Sequence, residues 1–270
     1  MKKPWQYQMK PFRMFGNLYF VGTRAAGSHL IETDDGLVLL DTGYPQTFYL
    51  IMQNMHDLGF SPYDVKHIIH SHGHYDHVGG TAALAAMSGA KTYIGAKDAE
   101  MVRGNEKTDW AYELGMRDGG IPYRFDQAFE PDVLLSDGDV LQFGNVSVTC
   151  LSTPGHTAGT MSYFLDVTDG ARTLRAGMFG GSGTNSMYKT YLDQYHLSHA
   201  YREAYPQVIE RMRSIHVDIM MGNHNGDNNT LGRYERMQAE GGNPFIDATA
   251  WPQFLDNAMM RYQAMLDQNE

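Results

Sequence analysis

His72-Gly73-His74-Tyr75-Asp76-His77 is the stretch on which the reading of this chain turns. Three imidazoles and a carboxylate fall within six residues, a density that core packing does not call for. Those donor types together suit zinc, with iron or manganese as other occupants. Val65-Lys66-His67-Ile68-Ile69 before it reads as a buried strand, and the glycine-led run from Val78 to Met87 reads as a helix. The four donors are therefore expected on a strand-to-helix loop, where polar groups reach a ligand without breaking a ladder. His72 and His74 are two apart on extended chain, so both side chains can point the same way.

Working outward, residues 17–22, 28–33 and 37–41 read as strands, with a turn at Asp34-Asp35-Gly36. An apolar periodicity through Phe48, Ile51, Met52 and Met55 predicts a helix that begins near Pro45 and stops at Gly59. Lys91-Thr92-Tyr93-Ile94 is the next strand. Residues 101–135, rich in glycine and charge, read as a long surface excursion. Further strands are expected near 139–143, 146–151, 161–166 and 172–176, and helices near 198–213, 230–239 and 251–267. Val217-Asp218-Ile219-Met220-Met221 is a strand leading to His224. Thr153-Pro154-Gly155-His156-Thr157 follows a strand, and its proline and glycine make a rigid turn that presents the imidazole. Two successive blocks of strands mixed with helices, with no linker and no repeat, predict one domain over residues 1–270, an α/β four-layer αββα sandwich.

Bulk properties remove several function classes. A net charge of −10 argues against a nucleic-acid partner. No apolar run has membrane-spanning length. Cys150 is the only cysteine, so no internal disulfide forms, and its strand context makes it a buried residue rather than a nucleophile. No Gly-x-Ser-x-Gly elbow is present. The basic start, Met1-Lys2-Lys3-Pro4, lacks an apolar signal core, so the chain as given is expected in the cytoplasm. A periplasmic or secreted location applies if a signal was removed. The 18 methionines and 17 tyrosines are assigned to packing. So are His29, His56, His67, His70, His196, His199 and His216, which pack or lie on the surface; His70 abuts the motif.

In order and spacing these pieces resemble the metallo-β-lactamase superfamily. The resemblance runs from Gly16-Asn17-Leu18-Tyr19 through Leu39-Leu40-Asp41-Thr42-Gly43, the histidine motif, the His156 turn and His224 to Gly242-Asn243-Pro244-Phe245. It implies a first metal held by His72, His74 and His156, and a second held by Asp76, His77 and His224. Each metal then has three protein ligands and an open position, the arrangement of a catalytic site. It implies two zinc ions per chain and a metal-bound hydroxide as the nucleophile, with Asp76 also orienting that hydroxide. Asp41 is expected to brace the ligand loops.

Most hydrolases of the superfamily carry a metal-bridging aspartate at the strand end after the Pro-Gly-His turn. The matching stretch here, Leu174 to Gly181, has no acid. With this ligand set, that absence resembles class B metallo-β-lactamases of the third subclass. Serines common in that subclass are replaced by Met178 and Gly180, and Asn225 stands where proline is usual. Met178 is accordingly expected beside the water of the second metal, and Ser182, Asn185 and Tyr188 are candidates for substrate contacts. The implied function is a dinuclear zinc hydrolase of a small molecule, with the β-lactam amide as first substrate. The alternatives are a lactonase or glyoxalase II-like thioesterase of the same fold, or a mononuclear-metal redox or binding protein.

Overall fold

The computed structural model describes residues 3–103 and 128–268. The first sheet contains β1 (Phe12–Phe15), β2 (Leu18–Phe20), β3 (His29–Thr33), β4 (Gly36–Leu40), β5 (Val65–Ile69), β6 (Lys91–Gly95) and β7 (Val133–Leu135), each beside its sequence neighbour. Strands β1 to β4 are antiparallel, and β4 to β7 run parallel. The second sheet holds β8 (Val140–Phe143), β9 (Val146–Ser152), β10 (Met161–Thr168), β11 (Thr173–Met178) and β12 (Ile219–Met221), in the order β12-β11-β10-β9-β8. Its pairs are antiparallel except β11 with β12.

The helices are α1 (Phe48–Asp57), α2 (Tyr75–Val78), α3 (Thr81–Ser88), α4 (Ala99–Val102), α5 (Lys189–Gln194), α6 (Ala200–Arg213), α7 (Asn225–Asn228), α8 (Thr230–Glu240) and α9 (Ala250–Asp267). Among the described residues, no helix is long and apolar enough to cross a membrane.

The alternation of side chains along each strand divides the core. On β10, Met161, Tyr163, Leu165 and Val167 face the layer between the sheets, where they meet Phe20, Ile31, Val38 and Leu40. Phe164, of opposite parity, packs outward with Tyr205, Ile209, Met212, Trp251 and Phe254 of α6 and α9. Ile51, Met55 and Leu84 of α1 and α3 cover the outer face of the first sheet through Leu30, Leu37, Leu39 and Ile68. The expected four-layer αββα sandwich is thus present.

Several local expectations change. β1 was not legible as a strand; it takes shape because Phe12 stacks on Phe20 of the neighbouring strand and on Tyr234 and Phe245, which are remote in sequence. The expected helix from Val78 breaks into α2 and α3 at Gly79 and Gly80. A Cβ at Gly79 would lie 2.2 Å from Pro45, so the glycine permits a backbone approach that a continuous helix does not make. Asp76 and His77 therefore sit on a one-turn helix rather than on a loop. Of the expected 101–135 excursion, 104–127 lies outside the described residues, and its flanks belong to α4 and β7.

His29, in the middle of the antiparallel part of the first sheet, is fully buried with neither ring nitrogen hydrogen-bonded. Burial pulls its pKa down to about 4, against a smaller opposing pull from Asp41. The unfolded chain binds a proton near pH 6.5 and the folded chain does not, so stability falls as pH drops from about 6.5 towards 4. Urea unfolding at pH 7, 6 and 5 should show His29→Leu losing less stability over this window. The expected difference in slope approaches 1.4 kcal/mol per pH unit, the value for about one proton.

Candidate metal centre

The chain segments that follow β4, β5, β9, β11 and β12 meet at one edge of the sandwich. Those after β5, β9 and β12 deliver the donors of a single cluster and those after β4 and β11 hydrogen-bond to them, at the carboxyl ends of sheet strands where ligand sites commonly form. His72 and His74 follow β5, Asp76 and His77 lie on α2, His156 follows β9, and His224 follows β12. The ring nitrogens of His72, His74 and His156 lie within 4.8 Å of one another, as do the donor atoms of His72, Asp76 and His77. His224 Nε2 is 3.2 Å from His77 Nε2 and 3.6 Å from Asp76 Oδ2. The six residues predicted from sequence are therefore brought together, with His72 central to both groups.

Hydrogen bonds on the far side of each ring decide which nitrogen faces the cluster. His72 Nδ1 donates to the Gly180 carbonyl at 2.8 Å and His156 Nδ1 to that of Gly183 at 2.9 Å. His224 Nδ1 donates to the Ala25 carbonyl at 3.0 Å, and His77 Nδ1 to Asp41 Oδ2 at 2.8 Å. Carbonyl oxygens only accept, so the Nε2 atoms of neutral His72, His156 and His224 are lone pairs aimed inward. His72 Nε2 is buried with no hydrogen-bond partner. His156 Nε2 lies 3.0 Å from His74 Nδ1. A buried lone pair without a donor, next to other imidazoles and a carboxylate, fits a divalent cation among these residues.

The electrostatics agree. Burial, reinforced by the neighbouring imidazoles, holds His72 and His74 well below the usual histidine range. Burial also lowers His156, to about 4. These rings stay neutral and available as donors at ordinary pH. Burial alone would raise Asp76, but the charge and hydrogen bond of His77 reverse that and keep it ionised. Burial also works to lower His77, yet Asp76 and Asp41 together outweigh it and push the ring up to about 10. The Asp76 side of the cluster thus attracts positive charge.

Asp41 lies at the junction of the segments that carry these donors. It is buried and adopts φ 59°, a left-handed conformation that non-glycine residues seldom hold. Its Oδ1 accepts from Ser71 N at 2.8 Å; its Oδ2 accepts from Ser71 Oγ at 2.7 Å, His77 Nδ1 at 2.8 Å and Asn223 Nδ2 at 3.2 Å. His70 abuts the motif without joining the donors. It is buried, with Nε2 3.1 Å from Thr81 Oγ1.

Met178 requires a correction. It packs in the layer between the sheets, and Gly180 is the position on this strand end that reaches the ligands. The side-chain alternation of β11 turns Met178 into the core, and two further residues of chain carry the backbone to His72. Asn185 is exposed at a turn, and Tyr188 packs against the helices covering the second sheet. Ser182 is half-buried in the glycine-rich stretch around His156. None of these three lines the cleft of about 110 Å³ beside His74 and His156, whereas Ser186 does. Ser186 Oγ donates to the His156 carbonyl.

Sequence reasoning also missed Asn223, Ser71, Asp98 and the spacing role of two glycines. A Cβ at Gly181 or Gly183 would come within 2.7 or 2.9 Å of the His156 ring. The available signal was position alone, since these residues lie next to ligands or just beyond strand ends.

The family profile of the metallo-beta-lactamase superfamily matches residues 21–173. The chain belongs to this superfamily. Its fold is similar to that of the native FEZ-1 metallo-beta-lactamase from Legionella gormanii, at 27% identity and a TM-score of 0.86 over 97% of both chains. GOB-18 from Elizabethkingia meningoseptica, also a metallo-beta-lactamase, aligns at 28% identity and a TM-score of 0.84, over 99% of this chain and 96% of that one. BJP-1 of Bradyrhizobium japonicum, a subclass B3 enzyme, aligns at 26% and 0.79 over 99% and 97%. Among sequence relatives, the uncharacterized protein YobT of Bacillus subtilis is 32% identical over 160 residues, 59% of this chain and 64% of that protein. A human hydroxyacylglutathione hydrolase-like protein is 31% identical over 98 residues, 36% of this chain and 24% of that protein. The chain is a metallo-hydrolase of this superfamily, with a histidine-rich cluster able to hold metal.

Asp41→Asn leaves the backbone conformation accessible, because asparagine tolerates positive φ. It removes the carboxylate that holds His77. Chelator-competition titration of the apoprotein should show metal affinity reduced by about 10- to 100-fold, as for losses of groups that orient ligands.

Proposed function

We propose that the protein is a dinuclear zinc hydrolase of the β-lactam amide bond. One observation carries the reading: imidazoles are locked from behind by carbonyls and Asp41, so that their other nitrogens face inward and gather beside Asp76. His72, His74 and His156 would hold one zinc, and Asp76, His77 and His224 the other. Zinc bound there supplies Lewis acidity and lets a water ionise near neutral pH.

The chain's own groups do the rest. Asp76 Oδ2, 3.4 Å from His77 Nε2, is an ionised acceptor that can orient an attacking water. The cleft beside His74 and His156, lined by Met101, Ala158, Tyr191 and Leu197, offers an apolar surface for a substrate side group. Ser186 Oγ is committed to the His156 carbonyl, and burial pushes the Cys150 thiol up to about 12, so neither is poised as a nucleophile.

The likeness to solved metallo-beta-lactamases over nearly the whole chain supports the β-lactam substrate. So does the absence of an acid from Gly177 to Gly181, where a carboxylate would link the metals. A second reading, thioester hydrolysis, draws on the hydroxyacylglutathione hydrolase-like relative.

Zinc-loaded protein should hydrolyse a chromogenic cephalosporin, lose that activity to a chelator and regain it with zinc. Intact-mass spectra during turnover should show no covalent adduct. A glutathione thioester cleaved in preference to the cephalosporin would favour the second reading.

His72→Ala and Asp76→Ala should each lower kcat/KM by at least about 100-fold, the scale of a lost proton-transfer or ligand group. His199→Ala should match the parent in the same assay, because His199 pairs with Asp193 on the surface.

A further inference from the structure

We propose that Asp98 is the positioning carboxylate of the first metal site. It fixes the His72–His74 segment against the His156 turn, and its charge complements the cation they hold. This rests on the metal reading given above.

Asp98 lies just beyond β6 and is 1% exposed. Its Oδ2 accepts from Gly73 N at 3.0 Å and from Thr157 Oγ1 at 2.6 Å, and its Oδ1 accepts from Gly159 N at 2.7 Å. Gly73 sits between His72 and His74, and Thr157 directly follows His156. One carboxylate thus grips the backbone between two ligands of the first group and the residue beside the third. The two gripped segments come from different sheets, so no ladder hydrogen bond fixes this spacing.

The contact is built for close approach. A Cβ at Gly159 would lie 2.5 Å from Asp98 N and Oδ1, and a Cβ at Gly95 would lie 2.0 Å from the Gly159 carbonyl oxygen. Neither position admits a side chain without pushing the Asp98 segment away from the turn that follows His156.

Charge is the second argument. Gly73 N, Thr157 Oγ1 and Gly159 N are all neutral donors, and among the described residues no lysine or arginine pairs with Asp98. A buried anion without a counter-charge is costly. A divalent cation held by His72, His74 and His156, just across these segments, supplies that counter-charge. Asp41, by contrast, bonds His77 of the other group directly and reaches the first group only through Ser71, beside His72.

The test separates the sites with two full-length backgrounds. His224→Ala removes a ligand of the second group only, and His156→Ala a ligand of the first group only. Apoprotein of each is titrated with zinc against a chromogenic chelator, and its melting temperature is recorded without metal. Asp98→Asn should weaken zinc binding by about 10- to 100-fold in the His224→Ala background. In the His156→Ala background it should change affinity by less than about 3-fold, a margin well inside the weakest such loss. Thr157→Val, which removes one donor and keeps the charge, should give a smaller loss in the same direction, and it decides the matter if Asp98→Asn fails to fold. Equal losses in both backgrounds would make Asp98 a general brace of the fold and overturn the proposal, as would titrations unchanged in both. Parent protein that binds no zinc would overturn the metal reading itself, and this inference with it.

Discussion

The carboxylate of Asp41 is the interaction on which the centre depends. Four donors from the chain following β5, from α2 and from the chain following β12 converge on its two oxygens. A neutral side chain of the same shape could not accept all of them, because an amide presents a donor on one side. The backbone accepts a left-handed conformation at Asp41 to place those oxygens, and such strain persists where surrounding structure over-determines it. His77 takes its tautomer from this contact, and so turns Nε2 towards His224 and Asp76.

The same logic extends around the cluster through backbone carbonyls. Gly180, Gly183 and Ala25 each hold one ring nitrogen of a histidine and leave the other facing inward. Those carbonyls belong to irregular segments after strands, where backbone oxygens are not consumed by a ladder. Metal ligands commonly donate their remaining N–H in this way, which raises their basicity and fixes ring orientation. The cluster is thus prepared for a cation by groups that never touch it.

The sandwich supplies the rigidity this requires. Met161, Tyr163, Leu165, Phe20, Val38 and Leu40 lock the two sheets face to face. Met161 N also donates to the Ser71 carbonyl at 2.8 Å, and the Tyr163 hydroxyl to the His70 carbonyl at 2.6 Å. The ligand-bearing chain after β5 is thereby tied to the neighbouring sheet. Close packing makes such an assembly resist small displacements, and a donor set displaced by even half an ångström would bind less well.

The sequence by itself singled out the candidate donors, because imidazoles and carboxylates at this spacing are unusual outside a metal site and stand out in the chain as written. It also determined the layers, since apolar alternation along the strands and helical periodicity in α1, α6 and α9 are properties of the chain written in order. It did not determine β1, whose aromatic partners lie more than 200 residues away at Tyr234 and Phe245. Nor did it determine the role of Met178, where a one- or two-residue offset at a strand end decides between the core and the site. Asp98, Ser71, Asn223, Gly181 and Gly183 carry no local pattern that distinguishes them from ordinary turn residues. Their roles arise only when strand ends from two sheets are brought within hydrogen-bonding distance, and that distance is a property of the packed sandwich rather than of any segment within it.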